Sequence, residues 1–174
     1  MRLVTCLVFA LLATAVPAMA AEDLPNILWL TSEDMSPTLG CYGDTFATTP
    51  NLDQFATEAV RYTNVFATAP VCSPARSCII TGVYATALGT QRLRSTFNVP
   101  EYMKGFPALL RATGYYTTNN VKTDYNCGNI KDIENASWDD NSDTAHWRNR
   151  KPGQPFFSVF NHMVSHQSRT MSWP

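Results

Sequence analysis

Short apolar runs alternate along this chain with polar, turn-rich stretches, and their periods change from one run to the next. Ile27-Leu28-Trp29-Leu30, entered through Pro25-Asn26, is too short for a typical helix and predicts a buried first strand. Thr49 before Pro50 predicts a helix cap, with Leu52, Phe55, Ala56 and Ala59 on one helical face, and residues 60–66 predict a returning strand. A second helix is predicted with Ser73 as its cap, Pro74 in its first turn and Gly82 as its stop. Phe106, Leu109 and Leu110 mark another helix face ended near Gly114, and residues 115–121 predict a strand with Lys122 at its exit. Residues 124–154 read as polar and irregular, with a short helix over residues 145–150. Residues 156–160 form the last apolar strand, which leads to His162 and His166. Strands alternating with helices predict the α/β class as a layered sandwich, and no internal repeat is present.

The first 20 residues are a separate object. Arg2 supplies a positive start, residues 3–15 are apolar, and Ala18-Met19-Ala20 fits a cleavage site, so a secretory signal peptide ending before Ala21 is expected. The apolar run is shorter than the roughly 20 residues that span a bilayer, so a secreted or periplasmic product with no membrane anchor after cleavage is expected. With 13 basic and 14 acidic residues, the charge balance gives no support for nucleic-acid binding or electrostatic attachment to a membrane. Cys41, Cys72, Cys78 and Cys127 follow the signal at spacings that match neither a redox motif nor a zinc site, and two bridges among them stay open.

Candidate chemistry gathers at the predicted strand and helix ends. Cys72 immediately precedes a predicted helix start, where open N–H groups and the helix dipole favour an anion, although a cysteine is also commonly a small buried hydrophobe. Glu33-Asp34 follows the first strand, where ligands collect in open α/β sheets, and paired carboxylates suit a hard divalent cation. Asp139-Asp140-Asn141-Ser142-Asp143 superficially fits a calcium loop, but Thr144 stands where the turn glycine belongs and Arg150 where the bidentate acid belongs. A solvated turn is the better reading. Asn135-Ala136-Ser137 is a formal glycosylation triplet.

Cys72-Ser73-Pro74-Ala75-Arg76, continued to Thr81-Gly82, resembles the Cys-x-Pro-x-Arg signature of the sulfatase family. Pro25-Asn26-Ile27 leading to Glu33-Asp34, then Thr49-Pro50-Asn51-Leu52-Asp53, is similar to that family's opening, with Glu33 in place of the first of two aspartates. Gly114-Tyr115-Tyr116-Thr117 leading to Lys122 resembles the family's strand ending in Lys-x-His, with Asp124 at the histidine position. Pro155-Phe156-Phe157 leading to His166 resembles its Pro-Phe-Phe strand and active-site histidine, which favours His166 over His162.

The resemblance implies the N-terminal part of an alkaline-phosphatase-like sandwich with a mixed central sheet, as a partial catalytic domain over residues 21–174 and a truncated one. It implies oxidation of Cys72 to formylglycine by a maturation enzyme, and calcium, or alternatively magnesium, held by Glu33, Asp34 and residue 72. Arg76 is implied to bond the formylglycine hydrate, Lys122 the sulfate oxygens, and His166 to protonate the leaving oxygen. Asp124 is an additional candidate that either orients Lys122 or accepts from the hydrate. The later metal pair and second lysine of the family do not lie within these 174 residues. The implied activity is hydrolysis of a sulfate ester of a small molecule or glycan. The alternatives are a phosphonate or phosphate monoester hydrolase of the same superfamily, or an inactive secreted glycan-binding or orphan fragment.

Overall fold

The computed structural model describes residues 24–171, and the predicted signal peptide, residues 1–20, lies outside them. The described strands are β1 (Ile27–Ser32), β2 (Tyr116–Asn120), β3 (Asp140–Asn141) and β4 (Phe156–His162). They form one sheet in the order β1-β4-β2-β3. Every pairing among them is parallel, so no antiparallel strand of the expected mixed sheet occurs among the described residues. β1 runs beside β4 from Ile27 opposite Phe157 to Ser32 opposite His162, and β2 runs beside β4 from Tyr116 opposite Phe156 to Asn120 opposite Phe160. Parallel strands all leave the sheet on one side, so the segments after β1, β2 and β4 emerge together.

β4 lies between two neighbours, and its side chains alternate between the sheet faces. Phe157 and Val159 enter the main core with Ile80, Ile133 and Trp138. The Phe157 ring lies 5.3 Å from both Trp29 and Phe106 and stacks 5.8 Å from Trp138. Phe156 and Phe160 meet Trp147 instead, at 5.7 and 5.4 Å. The centre of the sheet is polar in part. Thr118 and Ser158 share a 2.6 Å hydroxyl bond, and Thr117 donates to the Ser137 carbonyl at 2.7 Å, so these three buried hydroxyls are satisfied without water.

The helices are α1 (Pro50–Ala56), α2 (Cys72–Thr81), α3 (Ala85–Leu88), α4 (Pro107–Ala112), α5 (Ile130–Ser137) and α6 (Gln167–Thr170). Phe106 and Leu110 pack against the core at α4, while Leu109 faces outward. Gly105 permits the close approach of α4 to α5 and α2, since a Cβ there would collide with Ser137 Oγ and lie 2.9 Å from Ile80 Cγ1.

Several expectations are corrected. The first strand, expected to be buried, lies at the edge of the described sheet and exposes Leu28, Trp29 and Leu30. Residues 60–66 form no strand, and Val60, Val65 and Phe66 are exposed. Apolar alternation is not sufficient without a neighbouring ladder to take up the backbone groups. Thr49 does occupy the N-cap of α1, but its hydroxyl bonds Asp53 at 3.0 Å, and the helix buries neither Leu52 nor Phe55. α2 starts two residues earlier than expected, so Ser73 is buried in its first turn and Val71 holds the cap position. The stretch read as irregular contains α5, whose inner face is Ile133, Glu134 and Ser137. Two of those three are polar, which hid the helix from a search for apolar periodicity. Residues 145–150 contain only a 3-10 turn, Trp147–Asn149. Asp139 pairs with Arg111 at 2.9 Å and accepts from the Thr117 amide at 2.8 Å, so it belongs to a structural contact.

Phe157→Ala should cost about 3–5 kcal/mol, because it removes the ring on which three other aromatics converge. Urea unfolding measures this. A loss within about 0.5 kcal/mol of wild type, as at ordinary surface positions, would contradict that packing role.

Candidate active site

Four chain segments bring the site together at the C-terminal side of the sheet. β1 continues into Glu33 and Asp34, β2 exits through Lys122 to Asp124, β4 is followed by Ser165 and His166, and α2 begins at Cys72. The Glu33 amide extends the β1–β4 ladder by donating to the His162 carbonyl at 3.3 Å, and Ser165 Oγ donates to the Glu33 carbonyl at 2.5 Å. Three turn residues here hold positive φ: Asp34 at 50°, Val71 at 67° and Asp124 at 51°. For β-branched Val71 this conformation is a genuine outlier, and backbone strain of this kind costs on the order of 1–3 kcal/mol.

Glu33 is buried at 7% exposure and lies between two cations. Its Oε2 is 2.8 Å from Lys122 Nζ and its Oε1 is 3.3 Å from Arg76 Nη1. Arg76 also donates from Nε to the Thr123 carbonyl at 2.8 Å, and from Nη2 to the Lys122 carbonyl at 2.5 Å and Asn161 Oδ1 at 3.1 Å. Its guanidinium is thus turned toward protein acceptors, and none of its hydrogen bonds is to Cys72. The planar fork serves as a brace between α2, the loop after β2 and the end of β4.

Asn161 is a junction that sequence reasoning missed. Its Oδ1 accepts from Thr31 Oγ1 at 2.9 Å as well as from Arg76, and its Nδ2 donates to Asn119 Oδ1 at 2.9 Å and the Asn120 carbonyl at 3.2 Å. Asn119 in turn donates to the Lys122 carbonyl at 3.1 Å. The available signal was an amide directly after the apolar run of the last strand, two residues after β-branched Val159.

Cys72 Sγ donates to Asp124 Oδ2 at 3.4 Å, and that same oxygen is 3.9 Å from Lys122 Nζ. Asp124 therefore touches both of the groups between which its role was left open. His166 caps α6, and its Nδ1 accepts from the Ser168 amide at 3.2 Å. The same nitrogen lies 2.7 Å from Ser168 Oγ, so Ser168 holds the ring on its Nδ1 side. Asp34 Oδ2 accepts from the Gln167 amide at 2.8 Å.

One carboxylate oxygen of Glu33, Cys72 Sγ and a ring nitrogen of His166 lie within 4.8 Å of one another. Asp34, expected as a ligand, is outside that group. Sulfur and imidazole nitrogen suit calcium poorly, since hard cations take oxygen ligands. An oxygen-bearing side chain at position 72 would make it a hard donor beside Glu33, and the residues fit a hard cation in that form. His162 is exposed at the end of β4 and outside the group.

The remaining thiols are elsewhere and unpaired. Cys78 is buried and accepts from the Ala85 amide, and burial pushes the Cys127 thiol up, which keeps it protonated. A cavity of about 380 Å³ lies behind Arg76, but Trp29, Leu30, Ile79 and Phe106 line it. That apolar lining does not suit a doubly charged anion.

The α/β sheet thus gathers a cysteine at a helix start, a lysine, a histidine and carboxylates at its strand ends, where ligands collect in folds of this class. The sulfatase family profile matches residues 25–172, and the chain belongs to that family, within the alkaline-phosphatase-like superfamily. It is 40% identical over 160 residues to an ulvan-active sulfatase of Formosa agariphila, covering 84% of this chain and 26% of that protein. It is 34% identical over 109 residues to an N-acetylglucosamine-6-O-sulfatase of Bacteroides thetaiotaomicron, covering 62% and 19%. The chain thus spans about a quarter or less of those relatives' lengths. A solved 2-O GAG sulfatase matches the fold with a TM-score of 0.66 at 18% identity, over 82% of this chain and 35% of that one.

Glu33→Ala should cost about 3–5 kcal/mol, because it leaves Lys122 and Arg76 largely buried without their shared anion. Chemical unfolding measures the loss. A change below about 1 kcal/mol, the range of an exposed pair, would contradict a buried ion triad.

Proposed function

We propose that this chain is the N-terminal catalytic segment of a secreted or periplasmic sulfuric ester hydrolase, which releases inorganic sulfate from a sulfated organic substrate, with sulfated glycans as the class. The observation that carries this is position 72 at the start of α2, facing the strand ends that bear Lys122 and His166 within a family match spanning nearly all described residues. The names of two of the curated relatives, one ulvan-active and one an N-acetylglucosamine-6-O-sulfatase, support a glycan as the substrate class.

Cys72 is the residue converted by a maturation enzyme to formylglycine, which supplies an oxygen nucleophile where the encoded chain has a thiol. The α2 N-terminus favours the substrate's negative charge at that point. Lys122 has three donors and spends one on Glu33, which leaves N–H groups for sulfate oxygens. His166 is the proton source for the departing alcohol oxygen. Asp124 accepts from the side chain at position 72 and lies near Lys122, so it can orient both. Arg76 acts through its brace on Glu33 and the loop after β2. Glu33, Asp34 and an oxygen at residue 72 would hold calcium, or magnesium, and such a cation draws charge from the sulfate oxygens.

The test is peptide mass analysis of residue 72 after expression with a maturation enzyme, paired with assays of sulfate and phosphonate esters. An aldehyde at 72, sulfate release that stops in Cys72→Ala, and a dependence on divalent cation are expected. Preferred turnover of the phosphonate, or binding of sulfated glycan with no release, would overturn the reading. His166→Ala should lose more rate with a poor leaving group than with an activated aryl sulfate, and equal losses would contradict its role as proton donor.

A further inference from the structure

We infer that Glu134 on α5, together with Thr123, positions the site by fixing the loop that grips Arg76 and presents Lys122; the catalytic consequence rests on the sulfatase reading, and the geometry does not. Glu134 is buried, and its Oε1 accepts from Thr123 Oγ1 at 2.6 Å. Its Oε2 accepts from Lys131 Nζ at 2.6 Å, and that lysine side chain is 79% exposed. An exposed lysine pair alone contributes little and does not require a buried carboxylate. Desolvating the carboxylate is costly unless its oxygens are hydrogen-bonded, and the inward oxygen is spent on one hydroxyl of the catalytic loop.

That hydroxyl belongs to the residue whose carbonyl takes the Arg76 Nε–H at 2.8 Å. The preceding carbonyl, of Lys122, takes Arg76 Nη2 at 2.5 Å, and the following residue, Asp124, accepts from Cys72 at 3.4 Å. Thr123 is therefore flanked by Lys122, which pairs with Glu33, and by Asp124, which meets position 72, while its own side chain points back to α5. The helix end is fixed in turn, since the Trp138 amide donates to the Glu134 carbonyl at 3.0 Å and Trp138 Nε1 donates to the Tyr125 hydroxyl at 3.0 Å. Burial pushes the Tyr125 phenol up, so it stays a neutral partner in that contact. The chain of contacts runs from α5 through Glu134 and Thr123 to Arg76, with Lys122 carried on the same loop.

The experiment compares Thr123→Val, Glu134→Ala, Glu134→Gln and the Thr123→Val/Glu134→Ala double variant in the full chain. Two readouts are taken: the exchange rate of the Arg76 Nε–H by NMR, and kcat and KM for sulfate release by the matured protein. Loss of a hydrogen bond to a charged group should lower kcat about tenfold or more, with the double variant no worse than the poorer single. Arg76 Nε–H exchange should accelerate in both single variants, whereas Glu134→Gln, which keeps an acceptor oxygen, should behave as wild type. Folded Thr123→Val with unchanged Arg76 exchange and unchanged kcat would overturn the inference, even if its melting temperature fell. If Glu134→Ala does not fold, the nearly isosteric Thr123→Val decides the question alone. Absence of sulfate release in wild type, with the NMR response as expected, would count against the sulfatase reading and leave the positioning role standing.

Discussion

A buried carboxylate held between two cations is the constraint on which the rest of this structure depends. Glu33 extends from the end of β1, Arg76 reaches it from α2, and Lys122 reaches it from the loop after β2. Removing any of the three leaves buried charge with fewer partners, so the triad ties those elements to one geometry. It is possible only because β1, β4 and β2 are parallel and release their following segments on the same side. Asn161 completes the junction from β4 by receiving Thr31 and Arg76 and bonding toward Asn119 and Asn120.

Around this fixed frame lie the groups to which the proposed function assigns the anionic substrate. Position 72 opens α2 after a strained turn at Val71, and Lys122 is aimed by its bond to Glu33. His166 is oriented by Ser168, which contacts its Nδ1 through both amide and hydroxyl. The strain at Val71, Asp34 and Asp124 is offset elsewhere, by the aromatic core around Phe157 and by the hydrogen-bonded ladder. Rigid packing below the site and strained turns within it are two parts of one arrangement.

The outline of the fold was legible where apolar runs coincide with sheet strands. Residues 27–30, 115–121 and 156–160 each overlap a strand, with Tyr115, Phe157 and Val159 buried there, whereas Leu28, Trp29 and Leu30 of the first strand pair in the sheet but stay exposed. The run at 60–66 has the same local character and forms no strand, since pairing is a tertiary fact. α5 was invisible because Glu134 and Ser137 supply its inner face. The motif residues were legible from family resemblance, but their partners were not. Glu33 reads as a metal ligand in sequence and lies in a group that could hold a metal, but its pairing with Lys122 and Arg76 was not foreseen, nor was the bracing of protein carbonyls by Arg76. Such assignments depend on where a long side chain turns at the end of its element, which sequence spacing does not encode.

The central claim is that Glu33 and Lys122 act as one unit to set the site. A double-mutant cycle of Glu33→Gln and Lys122→Met, read as unfolding free energy, tests it most directly. Coupling of at least about 1.5 kcal/mol between the two positions is the predicted result, since each single change strands the partner's buried charge or dipole while the double change removes both. Additivity within about 0.5 kcal/mol would show that the two residues do not act together, and would contradict the account.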